Sequence, residues 1–270
     1  MRPALTCLPL LLAALSGCAS LPEGSTRDPR DRFERFNRSM YGFNTAVDKA
    51  VARPVARVYV AVTPRPVRAG VSNALANLTY PVTLGNDLLQ GKLGQFAHDS
   101  ARLVVNTTFG VGGLFDPATR MGLQANDEDF GQTLGKWGLP AGPYLMLPLL
   151  GPATVRDAIG TGGDYFLDPT NRIERDPVRW GLTGLTLVDT RASLLEADAA
   201  LARYRDPYVF VRNAYLQRRE FQVHDGNVPE PEPVEVEDEV EEEDDGTSDA
   251  EPSNDGAPVI PQAAAGDPPR

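Results

Sequence analysis

The chain has 270 residues, 41% hydrophobic and 23% charged, with a formal net charge of −11. The acidity is local: residues 228–270 carry 15 Asp/Glu against one basic residue, which leaves residues 1–227 at +3. A near-neutral body excludes a nucleic-acid binder, which needs a basic face. Two cysteines and two histidines leave few parts for a zinc site or a thiol nucleophile.

Residues 1–17 read as an export signal. Arg2 supplies the positive start, and residues 8–15 form an apolar stretch interrupted only by Pro9. Leu15-Ser16-Gly17-Cys18 resembles a bacterial lipobox, in which the Cys18 thiol takes a diacylglycerol and the cysteine becomes the new amino terminus. Several acyl chains on one residue hold a domain to a bilayer far better than one chain does. Ala19, rather than Asp, resembles the pattern of lipoproteins released to the outer membrane. Residues 18–30 lack periodicity and read as a tether.

The body is expected over residues 31–225. Phe33, Phe36, Met40, Phe43 and Val47 recur at steps of three and four, which predicts a helix with an apolar stripe, read as core. Arg53-Pro54, Pro64 and Pro66 punctuate, with helices over 55–62 and 67–78; Tyr80-Pro81 should break the second. A further segment, 82–90, ends at Gly91. Residues 93–108 predict a two-sided helix. Leu93, Phe96, Ala97, Ala101, Val104 and Thr108 share one side, and Gln95, Asp99, Arg102 and Asn106 share another. On spacing alone the polar stripe faces water, with Asp99 and Arg102 as a local pair. Gly110, Gly112 and Gly113 end the helix, but Phe115 stands where a phosphate-cradling loop needs its last glycine.

From 126 to 157 Gly and Pro accumulate and periodicity fades. Residues 143–150 are apolar but far short of the roughly 20 residues a membrane span needs. Helical patterns return at 153–159, 177–188, 189–205 and 207–221, the last placing Tyr208, Val211 and Tyr215 together. No strand alternates over six residues, so the chain is mainly α. Residues 226–270 combine Pro-Glu repeats with an acidic block and cannot bury enough apolar surface to order, so a disordered acidic tail is expected.

The chemistry-bearing motifs are missing. There is no nucleophile elbow, P-loop, paired-histidine helix or zinc spacing, and Asp127, Glu128 and Asp129 are adjacent rather than opposed. These residues offer no catalytic group, no metal site and no cofactor, so an enzyme is not expected. An amphiphilic ligand fits better, since it needs apolar surface beside polar contacts.

Further residues carry a resemblance. Phe130-Gly131-Gln132-Thr133-Leu134-Gly135-Lys136-Trp137-Gly138, then Gly142-Pro143-Tyr144, Leu147-Pro148, Gly151-Pro152 and Arg156-Asp157, resemble the central signature of the MlaA/VacJ lipoproteins. Phe36-Asn37-Arg38-Ser39-Met40-Tyr41 with Phe43-Asn44 is similar to that family's first helix, and Asn106-Thr107-Thr108-Phe109-Gly110 and Asp206-Pro207-Tyr208 match further blocks. The resemblance covers residues 31–221. It implies a ring-like helical domain around an amphipathic channel, lying in the inner leaflet of the outer membrane beside a trimeric porin. Phospholipids misplaced in the outer leaflet would pass through it to a periplasmic lipid carrier. On that basis Gln95, Asp99, Arg102 and Asn106 are candidate channel lining within a helical hairpin over 63–124, the Gly110–Gly113 region is a hinge, and Phe43 and Asn44 are a candidate gate. The competing expectations are a porin-associated lipoprotein that moves no lipid and, far behind, a lipid-cleaving enzyme.

Overall fold

The computed structural model describes residues 28–228, which belong to one compact unit. The lipobox cysteine Cys18, the export signal and the acidic tail lie outside the described residues. The fold takes in the last residues of the expected tether: the Arg30 carbonyl accepts from the Tyr144 amide at 2.8 Å, and Asp28 pairs with Arg212.

Helix α1 (Glu34–Val47) passes without interruption into a π-helical turn (Asp48–Ala52) and then α2 (Arg53–Val62). Pro54 explains the widened turn. Proline brings no N–H and its ring collides with the carbonyl four residues back, here Ala50, and a π turn relieves the collision without ending the helix. Asp48, in the widened turn, is gripped by Arg53 at 3.0 Å and by Arg191 at 2.5 Å, which ties this rod to α8 (Asp176–Ser193).

Helix α3 (Arg65–Leu89) and α4 (Leu93–Thr108) form the expected hairpin. Tyr80-Pro81 does not break α3, which runs through as one 25-residue helix. Cross-links in the turn before the proline anchor it to α4: Asn77 Nδ2 donates to Thr107 Oγ1 (3.0 Å) and the Tyr80 hydroxyl to Asp99 (2.8 Å). Two of the glycines after α4 are packing positions, Gly110 against the Asn106 and Phe115 carbonyls and Gly113 against α3, whereas a Cβ on Gly112 would meet nothing within 4 Å. At Gly113, with φ +92°, an added Cβ would lie 2.4 Å from the Asn77 Cβ, so only glycine lets this turn lie on α3. A short helix, α5 (Pro117–Arg120), follows, capped by the Asp116 side chain.

Helix α6 (Phe130–Lys136) crosses α7 (Val155–Leu167) backbone to backbone. A Cβ on Gly160 would sit 2.4 Å from the Gly131 nitrogen, and one on Gly131 would lie 2.7 Å from both the Arg219 guanidinium and the Asp157 carboxylate, which accounts for glycine at the two positions. Between these helices lie two strands that periodicity did not predict. β1 (Tyr144–Leu147) pairs antiparallel with β2 (Gly151–Thr154), Tyr144 opposite Thr154 and Leu147 opposite Gly151. A 3₁₀ turn (Pro169–Arg172) leads to α8, one helix from Asp176 to Ser193 where two segments were expected; α9 (Ala197–Leu201) and α10 (Pro207–Val223) complete the chain.

The distribution of residue types is inverted. Among the described residues, 17 polar or charged side chains are buried against eight hydrophobic ones, while 35 large hydrophobic residues are exposed. Only a small apolar cluster forms, of Tyr144, Met146, Tyr208 and Leu216. The phenylalanines of the stripe expected to be core are outward: Phe33, Phe36 and Phe43 are 42–50% exposed, whereas Glu34 and Asn37 face inward and only Met40 of the stripe packs against the apolar cluster. Burying so many polar groups is tolerable only because they satisfy one another.

Candidate functional site: a polar interior and its cleft

The buried polar groups form connected networks. At one end of the molecule, Asn37 and Asn44 stand two turns apart on α1 and serve the free edge of β1. Asn37 Nδ2 donates to the Tyr144 carbonyl (3.0 Å), and its Oδ1 accepts from the Met146 amide (2.8 Å). Asn44 repeats the arrangement on the Leu147 carbonyl (2.9 Å) and the Leu149 amide (2.8 Å). Two amide side chains thus stand in for a missing strand and satisfy an otherwise open edge. They also fix the hairpin tip, where Leu149 has φ +63° and Leu149 and Leu150 are 66% and 74% exposed. Beside them, Asp31 accepts from Asn37 (2.8 Å), the Tyr208 hydroxyl (2.5 Å) and Arg212 (3.1 Å).

Under the α6–α7 crossing, Arg219 from α10 donates to Asp129 (2.6 Å) and Asp157 (2.6 Å), and the Tyr215 hydroxyl also reaches Asp157 (2.5 Å). Burial disfavours both carboxylates, but hydrogen bonds from Arg219 outweigh it and hold them below the usual range. Next to this network, Asp164 accepts from Asn86 and the Phe130 amide, yet burial still pushes it up to about 6.

The third network joins α3, α4 and the segment after them. Arg102 binds Thr119 (2.9 Å) and Asp116 (2.8 Å); Asn106 donates to Asp116 (3.1 Å) and accepts from the Ala118 amide (3.1 Å). Asp99 accepts from Tyr80, Gln95 (3.0 Å), His98 (3.1 Å) and Asn126 (3.4 Å). Above it opens a cleft of about 250 Å³ lined by Asn73, Asn77, Thr79, Tyr80, Thr83, Arg102, Asn106, Asp116 and Asn126. Most of these groups are neutral donors and acceptors. Its charged lining residues are Arg102 and Asp116, which pair with each other, and Asp127, which pairs with Arg218 at 3.4 Å.

The predicted residues therefore fall in three places. Arg102 and Asn106 border the cleft. Gln95 borders a separate depression of about 640 Å³ with Lys92, Glu128 and Asp225. Asp99 is fully buried between them. The stripe does not face water as spacing alone suggested: its polar side is interior, and Leu93 and Val104 on the other side are 67% and 59% exposed. Asn44 clamps the hairpin, and Phe43 beside it is half exposed. The cleft residues of α3 escaped the sequence reading. Asn73, Asn77, Tyr80, Thr83 and Asp87 recur at steps of three and four, a signal hidden while only the apolar positions of that segment were followed.

The comparisons agree with this architecture. A family model described as MlaA lipoprotein matches residues 29–222. The intermembrane phospholipid transport system lipoprotein MlaA of Escherichia coli K12 is 38% identical over 233 residues, covering 84% of this chain and 92% of that protein. The Haemophilus influenzae protein of the same name is 35% identical over 235 residues, covering 83% and 93%. A solved structure described as the structural basis for maintenance of bacterial outer membrane lipid asymmetry superposes with a TM-score of 0.64 at 36% identity, covering 73% of this chain and all of that one. The chain belongs to the MlaA lipoprotein family.

Proposed function

We propose that this protein is an outer-membrane phospholipid-transport lipoprotein that takes misplaced phospholipids from the outer leaflet and passes them toward the periplasm, keeping the two leaflets asymmetric. The observation that carries the reading is the inverted distribution: a buried polar interior under a surface with 35 exposed large hydrophobic residues. Large hydrophobic side chains outside and polar ones inside reverse the usual partition of a chain folded in water, and acyl chains are the solvent that suits it. No helix among the described residues is long and apolar enough to cross a membrane. Residence in one leaflet fits this, with Cys18 acylated as the anchor and the inner leaflet of the outer membrane as the site.

In this reading the headgroup follows the polar cleft while the acyl chains keep to apolar surface, the division an amphipathic channel requires. Neutral amides and hydroxyls such as Asn73, Asn77 and Thr83 suit passage, because they replace hydration without holding the headgroup as a free fixed charge would. Arg102 and Asn106 shape the wall, and Phe43 and Asn44 act as a gate by setting the hairpin tip. A trimeric porin beside the protein and a soluble periplasmic lipid carrier as acceptor complete the proposal.

The test is deletion of the gene followed by measurement of surface-exposed phospholipid, with complementation by the full-length chain. Exposure rises on deletion and returns to its original level on complementation. An unchanged surface in the deletion strain overturns the proposal. Failure of the purified protein to carry or transfer lipid favours the porin-associated structural reading instead.

A further inference from the structure

Asp87 stands near the end of α3, at the end of the polar stripe that carries Tyr80 and Thr83. Its side chain is fully buried, and neither carboxylate oxygen has a hydrogen-bond donor. It lies within hydrogen-bonding reach of Asp99 on α4, with Glu128 and Lys92 as its other charged neighbours. Lys92 is committed elsewhere, bridging Glu128 (2.8 Å) and Asp225. His98 faces the far carboxylate, at 3.1 Å from Asp99. Asp99 already has four donors, so it is the member of the pair that keeps its charge. A buried carboxyl with two bare oxygens beside a carboxylate already served by protein donors has one satisfactory state, in which it is protonated and is itself the missing donor.

We propose that Asp87 is a positioning residue for the cleft: it holds a proton, donates it as a hydrogen bond to Asp99, and so fixes Tyr80 and Asn126 in the cleft wall. Both residues are bonded to Asp99, the Asn126 amide also reaches the Tyr80 hydroxyl (3.4 Å), and both line the cleft. Losing the proton leaves two carboxylates face to face, a repulsion that parting of α3 from α4 relieves, and that parting takes Tyr80 out of reach of Asp99 and of the Asn126 amide. Burial and the Asp99 charge push Asp87 up to about 7, which places the change near neutrality. The sign follows from linkage. The closed state binds the proton more tightly than the open one, so opening becomes more favourable as pH rises from about 4 to about 7 and levels off above that. The functional half of the inference, that lipid passage responds to this proton, rests on the cleft being the lipid path.

The experiment uses the full-length lipoprotein in phosphatidylethanolamine/phosphatidylglycerol nanodiscs, comparing the parent with Asp87→Asn, whose amide donates to Asp99 at every pH. The infrared difference between them should contain a protonated-carboxyl band at pH 5.5 that is gone at pH 8.5; Asp164 cancels because both proteins keep it. The opening constant from hydrogen exchange at the Asn126 amide should rise about tenfold per pH unit between 5 and 7 in the parent and stay flat in the variant. No such band, or the same exchange profile in both proteins, overturns the proposal. Should Asp87→Asn fail to accumulate, Tyr80→Phe is decisive: removing a donor from Asp99 must raise the pH at which the band disappears, and an unmoved midpoint overturns it. If the spectroscopy holds but lipid transfer to an acceptor vesicle has the same pH profile in parent and variant, the positioning role stands and the cleft is not the lipid path.

Discussion

Two glycines in one helix give a paired test of the packing described above. Gly160 and Gly162 both lie inside α7, where replacing glycine by alanine is worth about 1 kcal/mol of stabilisation from helix propensity alone. Their surroundings differ. A Cβ on Gly162 meets nothing within 4 Å, so Gly162→Ala should realise that gain, about 0.5–1 kcal/mol. A Cβ on Gly160 would lie 2.4 Å from the Gly131 nitrogen and 2.6 Å from its Cα. These are backbone atoms, so no side chain can swing away and the helices must separate by roughly an ångström. Overpacking of this kind costs about 1–3 kcal/mol. Separation also draws Asp157 away from Arg219, which stands 2.6 Å away, and weakens a buried ion pair. The net for Gly160→Ala is a loss of about 2 kcal/mol after the propensity gain is subtracted. Thermal unfolding in detergent, followed by circular dichroism, should shift the midpoint upward for Gly162→Ala and downward by several degrees for Gly160→Ala. Equal upward shifts would refute the backbone-to-backbone crossing.

Asn37→Ala removes partners from the Tyr144 carbonyl, the Met146 amide and Asp31 at once; a loss of about 3 kcal/mol is expected, read as a lower unfolding midpoint, against about 1 kcal/mol for the more exposed Asn44→Ala. Arg219→Met strands Asp129 and Asp157 under the α6–α7 crossing and should cost about 3–5 kcal/mol, with partial recovery in the triple variant that also carries Asp129→Asn and Asp157→Asn. Acid should destabilise the fold through the carboxylates held low. Asp116, held down to about 2 by Thr119, Arg102 and Asn106 against the opposing pull of burial, contributes stability that is present above about pH 4 and lost as pH falls through its folded-state value. Asp129 and Asp157 act in the same direction, so unfolding midpoints measured from pH 5 down to 2 should fall, and the fall should shrink in Asp116→Asn.

The periodic helices were legible, and so was the polar stripe of α4, but its direction was not. Sequence reading assumes that apolar faces point inward, which holds when the solvent is water. Here Phe33, Phe36, Phe43 and Val104 point out and Asn37, Asp99 and Asn106 point in, so an intact period led to an inverted orientation. Pro81 misled for a different reason: its local cost is real, but Tyr80–Asp99 and Asn77–Thr107 contacts across the hairpin outweigh it, and no local rule sees partners 19 and 30 residues away. The β1–β2 hairpin was hidden because Tyr144-Leu145-Met146-Leu147 is apolar throughout and only four residues long, too short to show alternation. Asp87 was invisible for a similar reason. Its consequence comes from Asp99, which only the folded hairpin brings beside it.

In a leaflet, the exposed apolar residues face lipid while the polar residues stay inside and around the cleft. Labels placed singly at Val58, Val104 and Leu187, which are 59–62% exposed, test it in native outer membranes. Lipid-borne quenchers should quench all three labels at a depth within one leaflet, and water-soluble quenchers should not reach them. Ready quenching from the aqueous phase at all three positions would contradict it.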